Sequence, residues 1–478
     1  MFYQITTYLH LLVLLYAAAA GLSYLILAII AALELNHYQK KIRTGMPAAG
    51  LSSPFAPALT VIAPAFNESL NIIDNIKGLL ALKYSKLSII VVNDGSKDDT
   101  LSKVISEFKM EKIFYPFDYE IGCQPIRGIY KSANPALDKL IVVDKENGGK
   151  ADALNAGINI CRSELFMSMD VDSLIDRDSI IKLVRPFLQE THKKVIAVGA
   201  VVRVANSCDI SGGNISHVKV PRNIWARFQA LEYIRAFLIG RMAWKRLDGL
   251  LLISGAIGMF DIETVKACGG YLKKTVGEDM ELLVRMRRYM NEKKLPYSVD
   301  FVPDPLCWTE VPESLKTLGR QRNRWMRGTM DTLRFHKRML LNPRYKSVGM
   351  LGYPYWMIFE WLAPLLEFAG FIYFLVLAVT GDINWNYVII LLTFVYMFAV
   401  GMSTWAIFLE AFTFHKYDKP SHIASFLVTA LMEPIIYHPL TVWWGLRGNI
   451  DYFRGISTWG TQERKGFTRK KKKPKAAV

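Results

Sequence analysis

From Leu9 to Leu33 the chain is apolar and almost uncharged, longer than the ~20 helical residues that cross a hydrocarbon core of about 30 Å. Three further apolar segments come much later, at Trp356 to Val379, Tyr387 to Leu409 and Ile423 to Trp444. Between Ala58 and Glu310 the pattern is different. Short β-branched runs ("LTVIAPAF", "LSIIVVND", "KLIVVDKE", "ELFMSMDVD", "KVIAVGAVV", "LLISGAIGMF") alternate with helix-like stretches such as Asn71 to Leu82 and Asp99 to Phe108. That alternation predicts an α/β domain, a mostly parallel sheet flanked by helices, inserted between transmembrane helices. After Pro312, the residues Leu315, Leu318, Met326, Met330 and Leu333 form an apolar stripe, which predicts an amphipathic helix in the membrane interface. The divisions are then an N-terminal helix and basic linker (1–50), a cytoplasmic α/β domain (51–310), the interfacial helix (311–345), a membrane region (346–447) and a basic tail (448–478).

Flanking charge sets the orientation. Nothing basic precedes the first apolar run, and Lys40, Lys41 and Arg43 follow it. This disfavours a cleaved signal and puts Met1 outside, with the α/β domain on the cytoplasmic face of an inner membrane. Four crossings would leave the C-terminus outside, yet Arg447, Arg454, Arg464, Lys465 and the run Arg469 to Lys473 belong inside. Pro434 and Pro439 interrupt the last apolar segment, so that segment is expected to be broken or re-entrant and the tail cytoplasmic.

The 478 residues are 51% hydrophobic and carry a net charge of +17, which points to anionic partners. The basic tail lacks an aromatic-interleaved platform, so it reads as solvated or lipid-facing rather than nucleic-acid binding. Cys123, Cys161, Cys208, Cys268 and Cys307 lie far apart, without the spacing of a zinc site or disulfide framework, and are expected to be reduced.

In an open α/β sheet the ligand crevice lies past the C-terminal strand ends. The predicted strands run into Asn67-Glu68, Asn93-Asp94-Gly95-Ser96, Asp144 to Lys150 and Asp170-Val171-Asp172, gathering acids and amides at one rim. Asp94 is either a turn-and-cap residue or an acceptor for a nucleobase NH or ribose hydroxyl. Gly148 and Gly149 would let backbone approach a phosphate, with Lys150 as a point charge, though the spacing is not that of a Walker loop. Asp170 and Asp172 are two solvated acids or, where a buried strand emerges, hard ligands for Mg²⁺ or Mn²⁺. Glu278 and Asp279 suit a first helical turn, and Asp279 could also take a proton from an attacking hydroxyl. Gln321, Arg324 and Trp325 share one helix face. Their plainer reading is snorkelling at an interface; functionally, Arg324 would fork onto diphosphate oxygens and Trp325 would meet a sugar ring. Glu360, Glu367, Glu410 and Glu433 sit in or beside apolar segments, where they either pair with interfacial arginines or line a sugar conduit.

Asp94, Asp170-x-Asp172, Glu278-Asp279 and Gln321-x-x-Arg324-Trp325, in this order over Leu59 to Gly328, resemble the processive family-2 glycosyltransferases, the membrane synthases of cellulose, chitin, hyaluronan and poly-N-acetylglucosamine. The resemblance implies a GT-A fold and a nucleotide-sugar donor, usually a UDP-sugar, bound by Asn67, Glu68, Asp94, Lys150, Asp170 and Arg324. It implies a metal on Asp170 and Asp172, Asp279 as general base, and an acceptor glycan against Glu278, Gln321 and Trp325. A β-linked product would pass outward through the spans, with an accessory or export subunit as a possible partner. Trp459 in "WGTQERKGF" looks like the element that ends chitin and hyaluronan synthases, which favours N-acetylglucosamine. Asn93 replaces an aspartate common in the family, and Glu111 to Lys139 is longer than the usual connection. No cyclic-dinucleotide-binding domain is visible, which weighs against cellulose. The alternative is a single transfer to a polyprenyl phosphate or ceramide-type lipid. A non-catalytic scaffold is disfavoured because every acidic position is filled.

Overall fold

The computed structural model describes residues 2–44, 56–189, 192–211 and 213–456. The strands in chain order are β1 (Leu59–Ala65), β2 (Leu87–Asp94), β3 (Met110–Ile113), β4 (Ile126–Ser132), β5 (Leu140–Lys145), β6 (Leu165–Met169), β7 (Ser173–Ile175), β8 (Lys194–Val204), β9 (Asp209–Ser211), β10 (Asn214–His217), β11 (Ile257–Asp261) and β12 (Tyr297–Thr309). Ten form one sheet in the order β3-β4-β5-β2-β1-β6-β11-β8-β12-β7, and β9 and β10 form a small hairpin. At its centre β5, β2, β1 and β6 are mutually parallel. Leu59, Ile62, Ile89, Val92, Val143 and Phe166 are fully buried there, as expected of strands covered on both faces. The α/β class expected from the alternation is the one observed.

Two stretches differ from the sequence pattern in detail. Of "LLISGAIGMF" only the second half is strand, β11, antiparallel to both neighbours; Ser254-Gly255-Ala256 turns the chain just before it. The long connection from Glu111 to Lys139 holds the antiparallel strand pair β3–β4, which extends the sheet beyond β5.

Four helical segments are long and apolar enough to cross a membrane: Tyr8–Lys41, Ala363–Thr380, Trp385–Thr413 and Pro420–Phe453. Only residues 381–384 separate the second from the third, so these two run antiparallel. At one end of the group, His10 packs its ring against Tyr373 and Tyr387 (centroids 5.4 and 4.9 Å). At the other end the helices touch the α/β domain. Glu34 meets Lys245 and Arg246 (3.1 and 3.2 Å), and Glu410 meets Arg203 in a fully buried pair.

The fourth segment behaves differently. Its entry loop touches the α/β domain through Lys416 and Asp176 (3.8 Å). In its middle Glu433 and Tyr437, within a π-helical stretch containing Pro434, meet Arg235 (2.7 Å) and Glu232 (2.9 Å). Its exit meets the helix Leu315–Phe335, through Asn323 and Asp451 (2.7 Å) and through Arg327 and the Ile456 carbonyl (2.5 Å). The entry and centre therefore lie against the α/β domain and the exit against the helix Leu315–Phe335, and the centre also touches the third span through Ser403 and Glu433 (2.9 Å).

Candidate active site

The parallel strands end together, so their following loops share one rim. β2 delivers Asp94, which is 3% exposed. Its carboxylate accepts from Lys145 Nζ (2.6 Å), Asn147 Nδ2 (3.1 Å) and the amides of Gly148 (3.0 Å) and Gly149 (2.8 Å). Those donors fill the lone pairs a carboxylate offers. Asp94, read from sequence as either a turn-and-cap residue or a nucleotide acceptor, here engages the two glycine amides read as phosphate ligands. Their work in this structure is to fold the 145–149 loop. Both glycines are required by that fold: Gly149 has φ +87°, and a Cβ on Gly148 would lie 2.4 Å from Asp152 Oδ1. Lys145, which sequence reasoning passed over, is fully buried and bridges Asp94 and Asp152 at 2.6 Å each. Asn93 donates to Asp144 at 2.7 Å, so an aspartate there would set two carboxylates face to face.

The tight loop starts the helix Lys150–Ile160 with its first side chain at the crevice. Lys150 Nζ lies 2.5 Å from Asp170 Oδ1, 3.6 Å from Glu278 Oε1 and 3.3 Å from the Gly255 carbonyl. Burial alone would lower the Lys150 pKa, but Asp170 and Glu278 outweigh it and hold the ammonium above its ordinary range. Burial pushes the Glu278 carboxyl up and neighbouring Asp279 adds to this, against the pull of Lys150. Asp279 is less buried; its Oδ2 accepts from the Gly255 amide (2.9 Å) and its Oδ1 from the Met280 amide (2.8 Å). Gly255 therefore contacts both Lys150 and Asp279 with backbone only, and a Cβ there would sit 2.9 Å from Lys150 Nζ and 3.3 Å from Asp279 Oδ2. A narrow pocket lined by Lys150, Ser254, Gly255, Tyr271, Glu278 and Asp279 marks the place.

The helix Leu315–Phe335, capped by Ser314 onto the Thr317 amide, is brought to this cluster by bare backbone. A Cβ on Gly277 would lie 2.7 Å from the Gly328 Cα, and one on Gly328 would lie 2.7 Å from the Gly277 Cα. Gly277 precedes Glu278, so the contact sets the acidic turn beside the arginine-rich helix, and the charge of Arg324 is felt at Glu278. Arg322, not singled out from sequence, forks onto Glu232 (2.5 and 2.8 Å) and lies over the Trp325 ring at 4.4 Å. One face of Trp325 is thus covered by Arg322, while the residue stays 40% exposed. Gln321 Oε1 is buried with no hydrogen-bond partner among the described residues.

The remaining expected residues spread out. Asn67 bonds Ser96 and Lys97 (3.0 and 2.8 Å) and Glu68 bonds Thr100 (2.9 Å), which ties the β1 loop to the β2 loop. Asp172, 8% exposed, acts electrostatically with Arg324 on buried Tyr233. Among the described residues no three His, Cys, Asp or Glu side chains form a metal-holding group. Trp459 lies outside the described residues. Of the membrane-side acids, Glu410 and Glu433 pair with Arg203 and Arg235, and Glu367 meets His438 at 2.7 Å.

Two family descriptions match the chain: "Glycosyl transferase family 2" over residues 60–117 and "Glycosyltransferase like family 2" over residues 131–328. A poly-beta-1,6-N-acetyl-D-glucosamine synthase of Staphylococcus epidermidis is 27% identical over 277 residues, 58% of this chain and 55% of that protein. The synthase of Staphylococcus aureus is 28% identical over the same shares. The match thus spans about half the length of these relatives. Among solved structures, a mannosyltransferase of Pyrobaculum calidifontis in complex with GDP-Man and Mn²⁺ has a TM-score of 0.48 at 18% identity, covering 88% of this chain and 99% of its own. A glucosyl-3-phosphoglycerate synthase of Mycobacterium tuberculosis with Mn²⁺ and UDP has 0.35 at 17%, covering 59% and 82%. Likeness at that level carries no conclusion about ligand or mechanism. The two family matches begin in the first strand and end at Gly328, the residue that docks the arginine-rich helix on the acidic turn, and over residues 60–117 and 131–328 the chain carries family-2 glycosyltransferase sequence.

Proposed function

We propose that the chain is a membrane-embedded, inverting glycosyltransferase that extends a β-linked polysaccharide, with UDP-N-acetylglucosamine or a close analogue as donor. The acceptor hydroxyl attacks the anomeric carbon, the bond to the nucleoside diphosphate breaks on the opposite face, and Asp279 takes the hydroxyl proton. The observation that carries this reading is the convergence of Asp170 and Glu278 on the Lys150 ammonium, with Asp279 close enough for its charge to act on it. Backbone bonds from Gly255 and Met280 aim the Asp279 carboxylate. Arg324 offers forked hydrogen bonds to the departing diphosphate, and Gln321 and the open side of Trp325 offer contacts to the acceptor glycan. Asp94 and Lys145 act one step back by shaping the loop that positions Lys150.

Asp170 and Asp172 are hard oxygen donors that fit Mg²⁺ or Mn²⁺. With no third acidic ligand grouped with them among the described residues, the ion's coordination shell would be completed by donor diphosphate and water. Such an ion would neutralise charge developing on the leaving group.

For the membrane, we infer three crossings, by the first three apolar helices. The segment Pro420–Phe453 starts against the α/β domain and ends against the helix Leu315–Phe335, while its centre meets the third span through Ser403 and Glu433 (2.9 Å), so it enters beside that span and returns. This keeps the basic residues after Trp444 on the cytoplasmic side with that domain and removes the conflict between four crossings and their charge. A Cys placed at Lys416 or Arg454 should resist a membrane-impermeant thiol reagent applied outside, and one at Asp382 should react. Labelling of Arg454→Cys from outside would restore the fourth crossing.

The activity test uses purified protein in detergent with radiolabelled UDP-N-acetylglucosamine and Mg²⁺ or Mn²⁺. High-mass product sensitive to a β-hexosaminidase and lost with EDTA supports the proposal. A single labelled lipid would replace it with single transfer to a lipid acceptor.

A further inference from the structure

A cavity of about 300 Å³, separate from the acidic cluster, opens at the foot of the N-terminal helix. Its walls come from residues 34–41 of that helix, the helix Ser179–Gln189, Lys245 and Arg246, and β12 near Asp300. Five basic side chains line it, Lys41, Lys182, Arg185, Lys245 and Arg246, against two acidic ones, Glu34 and Asp300.

Three of those cations have structural duties. Lys245 bridges Glu34 and Asp300 (3.1 and 2.8 Å), Arg246 meets Glu34 (3.2 Å), and Lys182 meets Asp304 (2.5 Å). Lys41 and Arg185 make no salt bridge with any described residue although both face the cavity. An ammonium and a guanidinium at the edge of a pocket already braced by other cations form an anion site, and the guanidinium fork favours a phosphate. The cavity begins where the apolar run of the N-terminal helix gives way to Glu34, His37, Lys40 and Lys41, which is the headgroup level of a bilayer that the helix crosses.

We propose that this cavity binds a phosphate ester through Lys41 and Arg185, either the headgroup of an anionic phospholipid or a small soluble phosphorylated compound. The lipid source rests on the proposed membrane crossing; the soluble source does not. The site is distinct from the donor pocket, with which it shares no lining residue.

The test is a binding titration on the full chain in detergent. The probes are dioctanoyl phosphatidylglycerol, dioctanoyl phosphatidylcholine and glycerol 3-phosphate, for the unaltered protein and for Lys41→Gln/Arg185→Gln. Saturable binding of phosphatidylglycerol, at least tenfold weaker binding of phosphatidylcholine, and a loss of about tenfold in the double variant are expected for a lipid headgroup. Equal affinity for glycerol 3-phosphate, lost in the same variant, identifies the soluble source. If neither phosphate probe saturates, or the double variant binds both as the unaltered protein does, the proposal is overturned. Donor binding titrated in the same samples reports on the glycosyltransferase reading separately and should be unchanged by the double substitution.

Discussion

At the ends of the parallel strands Asp170 and Glu278, with Asp279 alongside, surround a single ammonium, whereas on the membrane side Glu410 and Glu433 each hold a guanidinium of their own. The first arrangement, Asp170, Glu278 and Asp279 around Lys150 with Arg324 acting on Glu278, leaves more negative charge than its cations balance. The second is neutral pair by pair. A surplus of charge in a half-open crevice is a demand for another cation or a proton, which suits the proposed transfer, with its metal and its hydroxyl proton. A matched pair in a dry contact calls for no further charge and fixes how the helices dock. The lesson is that counting acids does not find the site; the ratio of acids to nearby cations does.

The sharpest way to break this contrast is at the crevice. Asp279→Asn should reduce transfer by ~10²–10⁴-fold with little change in thermal midpoint, read by radiolabelled product and by unfolding in detergent. Activity that survives would remove Asp279 from the proton-transfer step. On the membrane side, Arg203→Met should destabilise by about 3–5 kcal/mol, because it strands Glu410 at 1% exposure. Arg203→Met with Glu410→Met should recover most of that loss, since Arg203 Nε and Nη1 and Glu410 Oε1 lack hydrogen-bond partners among the described residues. A double variant as unstable as the single would mean the pair is not a self-contained unit.

Gly328→Ala tests whether the two chemistries are joined by backbone. It should cut transfer by roughly 10²-fold, the scale of a 1 Å misplacement, while calorimetry still detects donor binding at the strand ends. Unchanged turnover would argue that the helix is placed by something other than its contact with Gly277.

The smallest effect concerns pH. Because burial raises the Glu278 carboxyl, folding favours its protonated form. Its contribution to stability is therefore full below the unfolded value of about 4.3 and is lost as pH rises through the higher folded value. Glu278→Gln should remove that loss, so the variant's unfolding midpoint gains on the parent's from acid to neutral pH. Parallel midpoint curves would show that Lys150 already cancels the effect.

Much of this was legible along the chain because strands with β-branched runs advertise themselves and their C-terminal acids follow directly, as at Asp94, Asp170 and Asp172. Glu278 and Asp279 were legible as the first turn of a helix. Partnership was not. Nothing local shows that the Asp94 carboxylate is filled by Lys145 and the 147–149 loop, or that Arg322, one turn before Met326, serves Glu232 some ninety residues earlier while the charge of Arg324 acts on Glu278. Gly255, Gly277 and Gly328 were silent because their role is the absence of a side chain at a long-range approach. The last apolar segment gave a mixed signal because its length suits a crossing while its prolines and Glu433 suit a bent helix on a protein surface.

The Gly277–Gly328 junction limits how this crevice can be adjusted. Where two main chains touch directly there is no residue to exchange for a slightly larger or smaller one, so selection cannot adjust the gap by degrees. Substitutions in the walls around this joint can reshape the crevice, but at the joint itself any side chain would meet main chain at about 2.7 Å.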